Sequence, residues 1–159
     1  MSYLPDEASP GGFLLPQTQR ILSSYRRWLG RDLIPPQEDP AKQAEALFLA
    51  PFVVVASNEE ADPLLVYGNQ KAIDLWELPW KELTRTLARK TAEPMEQAAR
   101  ERFLAEVRKN GYVEDYSGVR VSSTGRRFLI RRATVWNLVD GEGRYCGQAA
   151  AFDRWGYLA

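Results

Sequence analysis

The chain has 159 residues, of which 45% are hydrophobic and 26% charged, the make-up of one globular domain, and its 21 basic and 21 acidic residues cancel. Zero net charge argues against nucleic acid or an anionic membrane surface as the main partner. Histidine is absent and cysteine occurs once, as Cys146, which removes a Ser-His-acid triad, histidine-ligated haem, an ordinary zinc site and an internal disulfide together.

With neither a signal pattern nor an apolar run of membrane-spanning length, the expected setting is the cytoplasm, with no membrane contact. Residues 1–16 mix Pro, Gly and Ser without periodicity and are expected to form a disordered arm. Residues 17–40 then give a helix and a stiff linker. In "TQRILSSYRRWLGRDL", Thr18 is placed to cap the start and Gly30 to end it, and Ile21, Leu22, Tyr25, Trp28 and Leu29 share one face. Asp39-Pro40 reads as the cap and first position of a short helix through Leu49.

"PFVVVAS" and "PLLVYGN" read as two strands around the polar loop "NEEAD". Asn69 is placed to cap the helix "QKAIDLWEL", and "PWKELTRTLARK" continues as a short helix or irregular segment. "TAEPMEQAARERFLAEVRKNG" is the strongest helix, with Thr91 as its expected N-cap, Asn110-Gly111 as its stop, and Met95, Ala99, Phe103 and Val107 as its apolar stripe. Three long strands follow, at about 112–122, 126–139 and 144–153 by their turn residues and alternation. This order predicts an α+β domain with one antiparallel sheet covered by helices on one face.

Two strands, a helical middle and three strands is the order of a PAS domain. The segments "ALFLAPFVVVAS", "DPLLVYGNQKAIDLWEL", "TAEP", "GYVEDYSGVRVSSTGRRFLI" and "ATVWNLVDGEGRYCGQAAAF" together resemble the MEKHLA domain, a PAS-related family. The family occurs free-standing and at the C-terminus of plant homeodomain-leucine zipper transcription factors. The likeness covers about residues 18–153, and Asn58 stands where many relatives carry histidine. It implies a PAS-like five-stranded antiparallel sheet over residues 41–155, helices enclosing a small cavity, and the first helix as an N-terminal extension.

The closing strand carries Gly147, Ala149, Ala150 and Ala151 around a single amide, Gln148. In a PAS-like sheet it lies centrally, where small side chains let helices approach or leave a hollow. If Gln148 faces inward, alternation gives it Cys146, Ala150 and Phe152 as companions. Its amide needs partners; Asn69, Tyr112 or Trp136 would supply them within the protein, and so would a ligand. In "RRFLIRRATVWNL", Phe128, Ile130, Thr134, Trp136 and Leu138 alternate on one face, and Arg132 falls in the same register. A bulge near Arg131-Arg132 is the preferred explanation, an inward arginine facing an acid or an anion the other.

Arg120, Arg126, Arg127, Arg131 and Arg132 gather on neighbouring strands, and the neutral chain favours a salt-bridged face over a nucleic-acid patch. Arg102 is expected to reach Asp115 or Glu114. Glu93, Asp115 and Asp140 with Tyr67, Tyr112 and Tyr116 supply possible acids and bases, but in no distinctive spacing, so catalysis is not expected. Cys146 lies in the last strand, whereas light-sensing PAS relatives carry their flavin-reactive cysteine in an "NCRFLQ"-type helical segment. The cofactor is left unidentified.

The reading that follows is a sensory or regulatory module binding a small, mostly apolar molecule between the sheet and residues 69–105, lined by Asn69, Trp76, Tyr112, Trp136 and Gln148. The first helix, around Tyr25 and Trp28, would report occupancy. The other reading is a ligand-free interaction module, a homodimer or a signalling partner being held through Ile21, Leu22, Tyr25, Trp28 and Leu29.

Overall fold

The computed structural model describes residues 14–159, so the expectation for residues 1–13 lies outside the described chain. Helix α1 (Leu14–Leu29) begins inside the stretch expected as an arm. Thr18 is therefore not its cap. It is a buried helical residue whose hydroxyl finds no partner among the described residues. Helix α2 (Pro40–Phe48) starts as expected, with the Asp39 carboxylate accepting from the Ala41 N–H at 2.9 Å. Strands β1 (Val53–Ser57) and β2 (Leu65–Gly68) follow. Asn58 closes the loop between them, its Oδ1 accepting from the Leu64 and Glu60 N–H groups.

Helix α3 (Gln70–Trp76), the short α4 (Trp80–Leu83) and a 3₁₀ turn (Ala88–Thr91) lead to α5 (Pro94–Asn110). The long helix thus starts after Glu93 instead of Thr91, whose hydroxyl donates back to the Ala88 carbonyl at 2.8 Å. Glu93 makes no capping bond; it pairs with Arg127 of the sheet. The helix ends where Gly111 takes φ 98°, as Asn110-Gly111 predicts. Strands β3 (Tyr112–Val121), β4 (Arg127–Val139), β5 (Tyr145–Phe152) and β6 (Arg154–Tyr157) complete the chain.

The sheet is antiparallel, in the order β2-β1-β5-β4-β3. β6 is the line of β5 resumed after a bend at Asp153. Ala151 faces Thr134 and Arg154 faces Arg131, so the register on β4 is unbroken. Both faces are covered, because the expected helical face is joined by a second that the N-terminal helices form. α3 and α5 lie on one side, with α4 at the β2 edge, and α1 with α2 on the other. Four bonds fix α1 to β4: Trp28 Nε1 to the Asn137 carbonyl (2.9 Å), Trp136 Nε1 to the Ile21 carbonyl (3.3 Å), the Val139 N–H to the Ser24 hydroxyl (2.9 Å), and that hydroxyl to the Val139 carbonyl (3.3 Å).

Two irregularities decide which residues face which layer. β3 and β4 slip against each other twice, at Asp115 (φ 62°) and at Arg132 (φ 52°), and the slips cancel. The bulge at Arg132 throws that side chain into solvent, 4.0 Å from Asp115. It also splits the single stripe read from the sequence. Phe128 and Ile130 face α3 and α5, with Ala133 and Val135, whereas Trp136 and Leu138 face α1.

The second irregularity is in β5, where Gly147 has φ 133°. It turns Cys146 into the α1 layer, away from the companions that alternation assigned it. A Cβ on Gly147 would fall against the Ser57 carbonyl oxygen of β1, well inside contact distance. Gly147→Ala is therefore expected to cost about 3 kcal/mol in urea denaturation, from backbone strain plus a backbone clash. Gly125→Ala, at a positive-φ turn with open space around it, is expected to cost only about 1 kcal/mol.

Candidate functional site

Between the sheet and α5 lies a cavity of about 70 Å³. Its floor is built from alternate residues of four strands: Val55 of β1, Gln148 and Ala150 of β5, Ile130 and Val135 of β4, and Tyr116 with Arg120 of β3. Its roof is Trp76 from α3, Thr91 from the 3₁₀ turn, and Arg100, Phe103 and Leu104 from α5. The hollow exists because Ala150 and Ala133 are short where their neighbours are large. On the opposite face, the space left by Ala149 and Ala151 is filled by Trp136, with the Tyr25 ring edge-on to it at 5.0 Å.

The lid is loosely held. Of the residues of α5, Val107 is the one that is buried. The inward face runs Arg100, Phe103, Leu104, Val107, an i, i+3, i+4, i+7 pattern. This corrects the expected stripe, since Met95 is 78% exposed and Ala99 is exposed. Phe103 stacks on Tyr116 with ring centroids 3.7 Å apart. Two amides then reach α5 from the sheet: Gln148 Nε2 donates to the Leu104 carbonyl (3.0 Å) and Asn137 Nδ2 to the Arg108 carbonyl (3.0 Å). Gln148 Nε2 also donates to Asn137 Oδ1 at 3.2 Å, so the two amides form one chain.

The predicted lining residues separate. Trp76 and Gln148 reach the cavity. Trp136 sits on the other face of the sheet, and Tyr112, 37% exposed, lies at the start of β3. Asn69 is fully buried and saturated by the backbone. Its Oδ1 accepts from the Val54 and Ala72 N–H groups, and its Nδ2 donates to the Leu47 and Phe52 carbonyls. It thus caps α3 as expected while tying α2 to β1. The helix face offered for interaction is also occupied internally. Ile21 and Tyr25 are buried, and Leu22, Trp28 and Leu29 pack on the same core.

Sequence reasoning did not place Arg100 at the cavity, and it put Arg120 on a salt-bridged face, whereas Arg120 is buried at the cavity with no acid in contact among the described residues. Both were legible by spacing, Arg120 as the alternate of Tyr116 and Arg100 as the helical neighbour of Phe103, Leu104 and Val107. Arg102, expected to pair with the sheet, is exposed; Glu114 is held instead by Arg31, and Asp115 lies near Arg132. Cys146 is partly buried, and burial pushes its thiol up from the usual value, which makes it a poor nucleophile. Among the described residues no group of three His, Cys, Asp or Glu side chains could hold a metal, and no helix is long and apolar enough to cross a membrane.

A five-line sheet with a helical lid over a small hollow is the PAS arrangement, and solved PAS structures superpose on it. The PAS domain of a protein from Colwellia psychrerythraea matches with TM-score 0.61 at 9% identity, over 74% of this chain and 94% of that one. The light-state dimer of the fungal blue-light photoreceptor Vivid matches with TM-score 0.60 at 15% identity, over 90% and 95%. At these identities the likeness is one of fold.

The sequence is more specific, because the model of the MEKHLA domain matches residues 16–157 and the chain belongs to that family. Homeobox-leucine zipper protein ATHB-9 of Arabidopsis thaliana is 31% identical over 87 residues, 54% of this chain and 10% of that protein's length. The chain thus spans about a tenth of that relative. Family and fold are therefore those of a MEKHLA domain with a PAS-like architecture.

Asn69 offers a check on the division between scaffold and cavity. Asn69→Ala is expected to lose about 3 kcal/mol in chemical denaturation, because it strands two buried N–H groups and two carbonyls. Gln148→Ala, which removes donors from a residue beside a hollow, is expected to lose about 1 kcal/mol.

Proposed function

We propose that this MEKHLA domain is a sensory module whose input is a small molecule bound between the sheet and α5, and whose output is the packing of α1. The observation that carries this reading is the cavity roofed by a helix that is itself tied to the sheet by only a few polar contacts. A ligand that displaces Phe103 or Leu104 acts directly on the Gln148–Asn137 amide chain. Asn137 is also the residue whose carbonyl receives the Trp28 indole N–H from the opposite face. One residue of β4 therefore touches both the lid and the reporter helix, which gives occupancy a short physical route across the sheet.

Dimerisation through α1 would need that helix to leave its own sheet, since Ile21 and Tyr25 are buried there. The ligand reading is favoured over the interaction module for that reason. The fungal photoreceptor Vivid forms a light-state dimer; a dimer of this chain is compatible with the proposal if its surface lies elsewhere.

The test is an NMR titration of the ¹⁵N-labelled protein with a panel of small organic acids, alcohols and amides. The expected result is a saturable shift of the Gln148 side-chain NH₂ and the Trp76 indole N–H, accompanied by a shift of the Trp28 indole N–H. In Asn137→Ala the cavity signals should still respond while Trp28 falls silent. A panel in which no compound moves the cavity signals would sink the receptor reading.

A further inference from the structure

Several hydrogen-bond donors gather at the hollow. Arg100 and Arg120 both line it. Neither lies within 4.0 Å of a carboxylate among the described residues, whereas Arg127 and Arg132 of the same sheet face Glu93 and Asp115. Arg120 is 8% exposed, and its guanidinium reaches only its neighbour's carbonyl, on Val119 (2.8 Å), and the Tyr116 hydroxyl (3.2 Å). Arg100, partly exposed at the rim, makes no hydrogen bond among the described residues. Burial and the neighbouring Arg120 cation bring its pKa down to about 10. Trp76, 3% exposed, has an indole N–H with no partner there either.

A buried donor without an acceptor, and two neighbouring cations that no carboxylate contacts, are costly arrangements that a bound anion would relieve. The remaining walls, such as Val55, Ile130, Val135 and Phe103, are apolar. We infer that the cavity is an oxyanion site for a small organic carboxylate, whose charged end lies between Arg100 and Arg120 and whose carbon body faces the apolar wall. This rests on the ligand-binding reading above and narrows its ligand from a mostly apolar molecule to an anion. A planar carboxylate matches the guanidinium fork, which a spherical ion does not. A cavity of about 70 Å³ is about half of one that admits benzene, which limits the body to about two to four carbons.

The full chain, ¹⁵N-labelled, is titrated with sodium acetate, propionate, pyruvate and malonate at constant ionic strength. Sodium chloride, sodium phosphate and the neutral isostere propionamide serve as comparisons, and the Trp76 indole and Arg100 Nε–H signals are followed. The expected result is saturable binding of at least one carboxylate and none of propionamide. Arg100→Gln should weaken it at least tenfold and Arg100→Lys by less. The melting temperature of free Arg100→Gln should be equal to the wild type or above it, because an uncompensated cation has gone; that excludes unfolding as the cause of lost binding.

Propionamide binding as tightly as propionate would overturn the anion site and leave the receptor reading standing. Binding of phosphate alone would overturn the carboxylate class. Silence with every probe would overturn this inference and remove support from the receptor reading as well. Carboxylate binding unaffected by Arg100→Gln would show that the site lies elsewhere.

Discussion

Everything in this fold depends on β5 being enclosed on four sides. β1 and β4 bond to its two edges, and a helical layer covers each face, so no residue from Tyr145 to Phe152 is exposed. A strand in that position has no solvent to relieve a poor fit. Each side chain must match one layer or the other, and the backbone must match its neighbours as well. Gly147 is the extreme case, since it accommodates the Ser57 carbonyl where no side chain fits. The alanines are the milder case. Those facing α1 are complemented by large aromatics, and Ala150, facing α5, is not. The cavity is thus a mismatch allowed on one face of a strand that tolerates none on the other.

The asymmetry extends to how the layers are attached. α1 is held by buried apolar residues, an edge-on aromatic pair and four hydrogen bonds into β4. α5 is held mainly by Val107, the Phe103–Tyr116 stack and two side-chain amides. Each net hydrogen bond is worth about 1 kcal/mol, whereas burial of large apolar side chains is worth about 2 kcal/mol apiece. The lid is therefore the layer that moves at least cost, and it is also the layer over the hollow.

Local chemistry was legible in the sequence, and long-range facing was not. The Asp39 and Asn69 caps, the Gly111 stop and the three long strands follow from residues within a few positions of one another, and they stand within about two residues of where they were expected. The single-stripe reading of β4 failed for a reason that alternation cannot contain. One extra residue at Arg132 reverses every side chain after it, which moved Trp136 out of the expected lining. Thr18 and Thr91 misled for the opposite reason. Each is a good capping residue by type, yet α1 starts upstream of Thr18 and the chain after Thr91 continues as a 3₁₀ turn before Pro94 opens α5. Arg100 was passed over because a stripe beginning at Met95 looked apolar. Shifting it by one residue admits a cation to the inward face, a choice that hydrophobicity alone disfavours.

That disfavoured choice is informative about function. A receptor must be less stable empty than full, or its ligand would have nothing to shift. The empty cavity here has two cations near each other, an unpaired indole N–H and a short-walled floor, all of which raise the free energy of the unliganded state. On the α1 side the polar groups of Trp28, Trp136 and Ser24 have partners, while the buried Thr18 and Tyr67 hydroxyls have none among the described residues. A pair of like charges on the lid side, beside a lid that is lightly held and a residue that bonds to both layers, is an arrangement that suits a switch. A scaffold serving only to meet other proteins would gain stability by replacing Arg100 with leucine and Ala150 with valine. Under the proposed receptor function, a bound anion offsets the cost of keeping Arg100 and Ala150 at the hollow.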